Sequence, residues 1–251
     1  MLGTDPVPVV ADPPTRRRPA TPQAVFSQVA PSYDRRNGLL SLGQDRRWRR
    51  RAARCLQLPA GARVLDLATG TGSMALSLAA LAPPGVRIVG CDRNQRMLSV
   101  ARGRVREHFS GHAPAPVSLV RCLAEALPFP SGTFDAAAVA FAIDDTDDRD
   151  ACAAELLRVL KPGGQLTLLE LSLPQRALPR GLYRALLGML TVAGGRGSGP
   201  RRGWRHLRHE IVAYQGPLEI RELLRRAGFA GHRWWPLTAG VATVHLAHKP
   251  S

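Results

Sequence analysis

Residues 63–73 constrain this chain more than any other stretch. Val64, Leu65 and Leu67 form an apolar run suited to a central parallel strand, Asp66 interrupts it, and Gly70 and Gly72 follow directly. The glycines let the backbone approach a ligand where a Cβ would stand in the way. Residues 74–81 then continue as a helix whose first N–H groups face the same place. Strand, glycine turn and helix together predict a socket for a nucleoside-bearing ligand.

Two ligands compete for that socket. Gly70, Gly72 and Ala75 fit G-x-G-x-x-A, and Asp92, 20 residues after Gly72, stands where an acid would hold a ribose diol; both features suit a dinucleotide. Asp66 tilts the reading the other way. A carboxylate at the strand's end repels a pyrophosphate and attracts an ammonium group, and S-adenosylmethionine carries an ammonium and no phosphate. The structural alternative for Asp92 is a helix N-cap before Asn94.

Beyond this unit, strand and helix periodicities alternate as a doubly wound α/β sheet requires. Strands are expected at 63–67, 86–91, 117–121, 134–140 and 165–171, with helices at 74–81, 95–109 and 149–160. Residues 161–164, Lys-Pro-Gly-Gly, act as a stop and turn after the last of these helices. A helix at 218–227 and a hairpin from 233–235 and 239–248 bring the sheet to seven strands, mostly parallel. Residues 1–22, rich in proline and arginine, read as a disordered tail, and 23–251 as one domain. Within it, 23–57 are expected to form a helical lid, and 172–217, with a helix at 182–190 and a glycine-rich run, an insertion that covers the substrate or serves as a flexible linker.

Composition supports a single globular body without a transmembrane span or signal peptide, and therefore a cytoplasmic protein. Cys55, Cys91, Cys122 and Cys152 lack metal-ligand spacing, so no metal site is expected and the thiols should be reduced and packed. Net charge is +16, and Lys161 and Lys249 are the two lysines, so arginine carries the excess. Such a surface favours anionic partners. Residues 44–57, a basic helix with Trp48 and Leu56, suit peripheral contact with an acidic membrane surface, or form a solvated face. A role in nucleic-acid binding rests on charge alone.

Farther from the glycine turn, Phe26, Val29, Ala30, Tyr33, Asp34, Asn37, Ser41, Gly43 and Trp48 fall in one register. They resemble the N-terminal signature of the ubiquinone/menaquinone biosynthesis C-methyltransferases, a family of class I S-adenosylmethionine-dependent enzymes. Residues 124–130, 161–164 and 237–245 match the same family, so the resemblance runs from about Phe26 to Lys249. It implies a Rossmann-like fold, S-adenosyl-L-methionine as cofactor and a quinol substrate, demethylmenaquinol above all, and it leaves room for a homodimer. Carried over by position, it implies that Asp66, Gly70, Thr71 and Gly72 line the methionine side. Asp92 would hold the ribose hydroxyls, Leu123 and Ala124 would sit against adenine, and Ala140 would take the place of a serine. Tyr33 would close over the cofactor and Asn37 would steady it; packing of an N-terminal helix on the core would use Tyr33 equally well.

This chain departs from the family where the acceptor would lie. Leu123 replaces an Asn or Asp, and Asp144 and Asp145 replace an Arg-Asn pair. Carbon methylation of a quinol needs a base for a hydroxyl proton, and Asp144, after the fourth strand, is the candidate, with Asp145 beside it. The alternative is that Asp144, Asp145, Asp147 and Asp148 cap and solvate the next helix. His206, His209 and His245 are further candidates for proton transfer, each with a structural alternative. An O- or N-methyltransferase of an aromatic metabolite, or a non-catalytic relative, would share the same frame.

Overall fold

The computed structural model describes residues 43–110, 115–172 and 216–251, together with 38, 41, 174 and 181. The N-terminal tail, most of the lid ahead of Gly43, including Tyr33 and Asn37, and nearly all of the insertion, with His206 and His209, lie outside the described residues. In chain order the elements are α1 (Asp45–Cys55), β1 (Arg63–Leu67), α2 (Ser73–Ala79), β2 (Arg87–Asp92), α3 (Gln95–His108), β3 (Val117–Arg121) and β4 (Phe134–Ala140). A 3-10 turn (Ile143–Asp145), α4 (Arg149–Val159), β5 (Leu160–Leu171), α5 (Pro217–Ala227), β6 (Ala230–Leu237) and β7 (Ala242–His248) complete the fold.

The seven strands form one sheet in the order β3-β2-β1-β4-β5-β7-β6. β1 to β5 pair in parallel, and β7 runs antiparallel to both β5 and β6. Strand order therefore reverses between β1 and β4. In open α/β sheets the crevice at the carboxyl ends of such neighbours is where ligands bind.

Local chemistry explains the elements that frame this crevice. Ser41 Oγ accepts from the Asp45 N–H at 3.3 Å and donates to Asp45 Oδ1 at 3.1 Å, fixing the start of α1. The side chains of Asn94 and Asp148 accept N–H bonds at the starts of α3 and α4, from Arg96 and Met97 and from Ala151. Asn94, not Asp92, is the cap of α3. Gly228, at φ 101°, ends α5 in the left-handed region.

The sheet buries apolar side chains on both faces, as parallel strands must. Leu65, Leu67, Val139, Leu166 and Leu168 pack with α4 and α5 on one face, and Val64, Ala136, Ala138 and Leu169 pack with α1 and α2 on the other. The expected turn at residues 161–164 lies inside β5. Leu160 pairs with Phe134 and Gln165 with Ala136, so these four residues bulge out of the ladder, with Gly163 at φ 74°. Asp135 anchors the bulge through Lys161 Nζ at 2.6 Å.

Candidate active site

A cavity of about 330 Å³ opens at the crevice between β1 and β4. The turn after β1 supplies Ala68, Thr69, Gly70 and Thr71, with Ser73 and Met74 from α2. Asp92, Arg93, Asn94 and Met97 follow β2, and Ala140, Phe141, Ala142, Asp145 and Asp147 follow β4. Arg49 enters from α1. Two of these residues, Ala68 at φ 54° and Phe141 at φ 59°, hold left-handed backbone without being glycine. Strain of this kind persists where surrounding structure imposes it, and it gathers at functional sites.

The glycine turn is held from three sides. Gly70, at φ 55°, donates its N–H to Asp92 Oδ2 at 2.8 Å. Gly72, at φ 82°, passes so close to α3 that a Cβ would stand 3.3 Å from that of Ala101. Arg104 Nη1 donates to Thr71 O at 2.9 Å and to Ser73 Oγ at 2.9 Å. Asp92 Oδ1 accepts from the Asn94 N–H at 2.7 Å. Each oxygen keeps a lone pair, so the carboxylate can still accept two hydroxyls from the cavity side.

Asp66 lies differently from the expectation. Its side chain is buried, 1% exposed, and is not among the residues that line the cavity. One oxygen, Oδ2, accepts from Thr69 Oγ1 at 2.5 Å, and Oδ1 is buried with no hydrogen-bond partner. Burial drives its pKa from 3.8 up to about 7, with Asp92 adding to the rise; the Thr69 hydroxyl, the Ala75 N–H and the Arg49 charge oppose it. The same desolvation raises the pKa of Asp92, opposed by the Asn94 and Gly70 N–H groups.

The four acids after β4 have four different surroundings. Asp145 and Asp147 line the cavity. Asp144 is absent from the lining and lies 3.3 Å from Arg149 Nη1. Asp147 pairs with Arg93 at 2.9 Å, and Asp148 caps α4. Capping therefore accounts for one of the four, and of the pair 144 and 145 it is 145 that borders the cavity.

Leu123 and Ala124 are likewise absent from the lining of this cavity, and Leu123 is 48% exposed. They follow β3, whose last residue Arg121 is in register with Asp92, so they flank the Asp92 end of the crevice. His245 is fully buried in β7, with Nδ1 3.0 Å from His232 Nε2. Burial lowers its pKa to about 3, so it stays neutral at physiological pH, and it is not among the cavity residues. The four cysteines are unbridged thiols. Among the described residues no cluster of three metal-ligating side chains occurs, and no helix is long and apolar enough to cross a membrane.

Three participants escaped the sequence analysis. Arg49 is 5% exposed, pairs with Asp45 at 2.6 Å and sets its Cζ 5.1 Å from the centre of the Phe141 ring. Phe141 also meets Trp48 edge-on at 6.3 Å, and Trp48 Nε1 donates to Thr238 Oγ1 at 2.8 Å. Glu170, 4% exposed near the end of β5, accepts the N–H groups of Ala142 and Ile143 at 3.2 and 3.1 Å and so holds the acidic turn. Burial, followed by the charges of Asp144 and Asp145, raises its pKa to about 8. A lone acid in an apolar strand was the signal for Glu170, as it was for Asp66.

The whole fold has known relatives. The model of the ubiE/COQ5 methyltransferase family matches residues 15–249. The ubiquinone/menaquinone biosynthesis C-methyltransferase of Geobacter sulfurreducens is 39% identical, over 90% of this chain and 87% of the relative. The demethylmenaquinone methyltransferase of Thermus thermophilus is also 39% identical, over 90% of this chain and all (100%) of the relative. Among solved structures, a SAM-dependent methyltransferase from Thermotoga maritima superposes with a TM-score of 0.61 at 21% identity, over 90% of this chain and 98% of that one.

Proposed function

The chain belongs to the ubiE/COQ5 methyltransferase family, and from that premise we propose that it transfers the methyl group of S-adenosyl-L-methionine to a ring carbon of a demethylmenaquinol-type quinol. The observation that carries the cofactor assignment is the pair of carboxylates framing the glycine turn. Asp92 stands at the cavity wall with lone pairs for a ribose diol, and the buried Asp66 carboxyl supplies a negative charge near the turn that a ligand ammonium would favour. A dinucleotide would bring a pyrophosphate to this anionic floor.

When bound, the cofactor supplies an electrophilic methyl group on a sulfonium. The protein's task is to hold the acceptor in line and keep water out. Phe141, fixed by Trp48 and Arg49, gives a flat apolar wall suited to an aromatic ring. Asp145 would hold the hydroxyl proton while the ring carbon accepts the methyl group and a neutral thioether is left behind, and would return that proton to the ring oxygen as the ring proton passes to water and the ring regains aromaticity. Asp144, paired with Arg149, serves the local fold.

The acceptor is lipophilic, and α1 offers a way to reach it. Arg46, Arg47, Arg50, Arg51 and Arg54 are exposed on that helix, and none forms an ion pair with a described carboxylate. Arg51 and Arg233 flank the Trp235 ring at 5.9 and 5.7 Å. This face meets the acidic cytoplasmic surface of a membrane as a peripheral contact. Co-sedimentation with anionic vesicles that falls as salt rises supports the contact, and equal binding to neutral vesicles contradicts it.

A second reading, O- or N-methylation of an aromatic metabolite, is favoured by one observation: acids stand at 144 and 145 in place of an Arg-Asn pair. The deciding assay supplies methyl-labelled cofactor and reduced demethylmenaquinone in vesicles. Label in the quinone, at least about a hundredfold lower with Asp145→Asn, supports carbon methylation with Asp145 as base. Cofactor binding without any label in the quinone refutes that acceptor.

A further inference from the structure

Arg49 is the one cation buried in the lining of the cavity among the described residues, and the reading above gives it no contact with the ligand. Its guanidinium makes a single hydrogen bond, Nη1 to Asp45 Oδ2 at 2.6 Å, although it carries five N–H donors. The ring of Phe141 covers one of its faces at 5.1 Å, and Arg49 itself lines the cavity. The same cavity is lined by the glycine turn and Met74, where the amino-acid half of the methyl donor would lie. Arg49 also acts on Asp66, opposing the rise of its pKa, so the two charges lie within electrostatic reach of each other. A buried cation beside a buried acid complements a zwitterion.

We infer that Arg49 is the specificity residue for the α-carboxylate of the methyl donor, acting opposite Asp66, which answers the ammonium. This assignment rests on the cofactor reading above. It requires no proton transfer, because a guanidinium stays charged throughout the accessible pH range. It also gives α1 a second part: the helix whose outer face is basic contributes the residue that closes the amino-acid end of the cavity.

Calorimetry with two ligands tests it. S-adenosylhomocysteine carries the carboxylate, and 5′-methylthioadenosine has the same nucleoside and sulfur without the amino-acid half. Arg49→Gln is expected to weaken S-adenosylhomocysteine about ten- to a hundredfold, the range for a charged hydrogen bond, and to leave methylthioadenosine within about twofold. Arg49→Lys is expected to recover part of the loss, since it restores the charge without the fork. An equal loss for both ligands in Arg49→Gln would make Arg49 a packing residue and overturn the assignment, as would unchanged affinity for S-adenosylhomocysteine. A wild-type chain that binds neither ligand would overturn the cofactor reading itself, and this assignment with it.

Discussion

Replacing Asp66 by asparagine tests the electrostatics beneath the glycine turn. A carboxyl moved from 3.8 to about 7 is disfavoured in its ionised form by about 4 kcal/mol at 1.36 kcal/mol per pKa unit. Its folded-state value lies above the unfolded one, so the unfolded chain binds fewer protons between about pH 4 and 7, and stability falls as pH rises through that window. A ligand ammonium reverses the preference and drives the proton off. S-adenosylhomocysteine binding should therefore release about 0.9 proton near pH 6, about 0.5 near pH 7 and about 0.1 near pH 8. Affinity should climb about tenfold per pH unit below pH 7. Calorimetry in buffers of different ionisation enthalpy counts these protons directly. Asp66→Asn should abolish the release and flatten the pH profile. Proton release that persists undiminished in that variant, or a wild-type protein that binds the ligand with none, would refute the assignment of charge to Asp66.

Other expectations follow from neighbouring groups. Gly90→Ala would place a Cβ 2.8 Å from Leu119 Cδ2 and 3.0 Å from Thr69 Oγ1, displacing the hydroxyl that serves Asp66. A loss of about 1–3 kcal/mol in denaturant unfolding is expected, together with weaker S-adenosylhomocysteine binding. Glu170 has its folded pKa raised from 4.5 to about 8, so its stabilising contribution falls as pH rises through that range, by up to about 5 kcal/mol. Glu170→Gln, measured by urea unfolding from about pH 5 to 9, should be close to wild type at the acid end and less sensitive to pH above it. His245, lowered to about 3, works in the opposite direction: its stability is present above 6.5 and is lost as pH falls through the window below, so His245→Asn should soften acid unfolding.

The sheet was legible because buried parallel strands announce themselves as apolar runs. β1, β3 and β4 occupy the residues their patterns indicate. β5 starts at Leu160 rather than residue 165, because the proline and glycines that suggested a turn form a bulge inside a longer strand. The site was half legible. Gly70, Thr71, Asp92, Ala140 and Asp145 meet in one cavity, and their motif and position pointed there. The depth of Asp66 was not legible, because a sequence gives the end of a strand without saying how far below the surface that end lies. Arg49 was hidden by its neighbours: in a run of arginines around Trp48, helical phase alone separates the buried one from those facing solvent. The choice between Asp144 and Asp145 turns on a single 3-10 turn, which no periodicity encodes.

The central claim is that the crevice between β1 and β4 holds S-adenosylmethionine, and a crystal structure of the complex with S-adenosylhomocysteine tests it most directly. The ribose hydroxyls should lie within hydrogen-bonding distance of Asp92, with the amino-acid end over the turn at Gly70 and its ammonium nearest Asp66. Crystals grown with both S-adenosylhomocysteine and NAD that show the dinucleotide in this crevice, or the thioether ligand seated elsewhere, would contradict it.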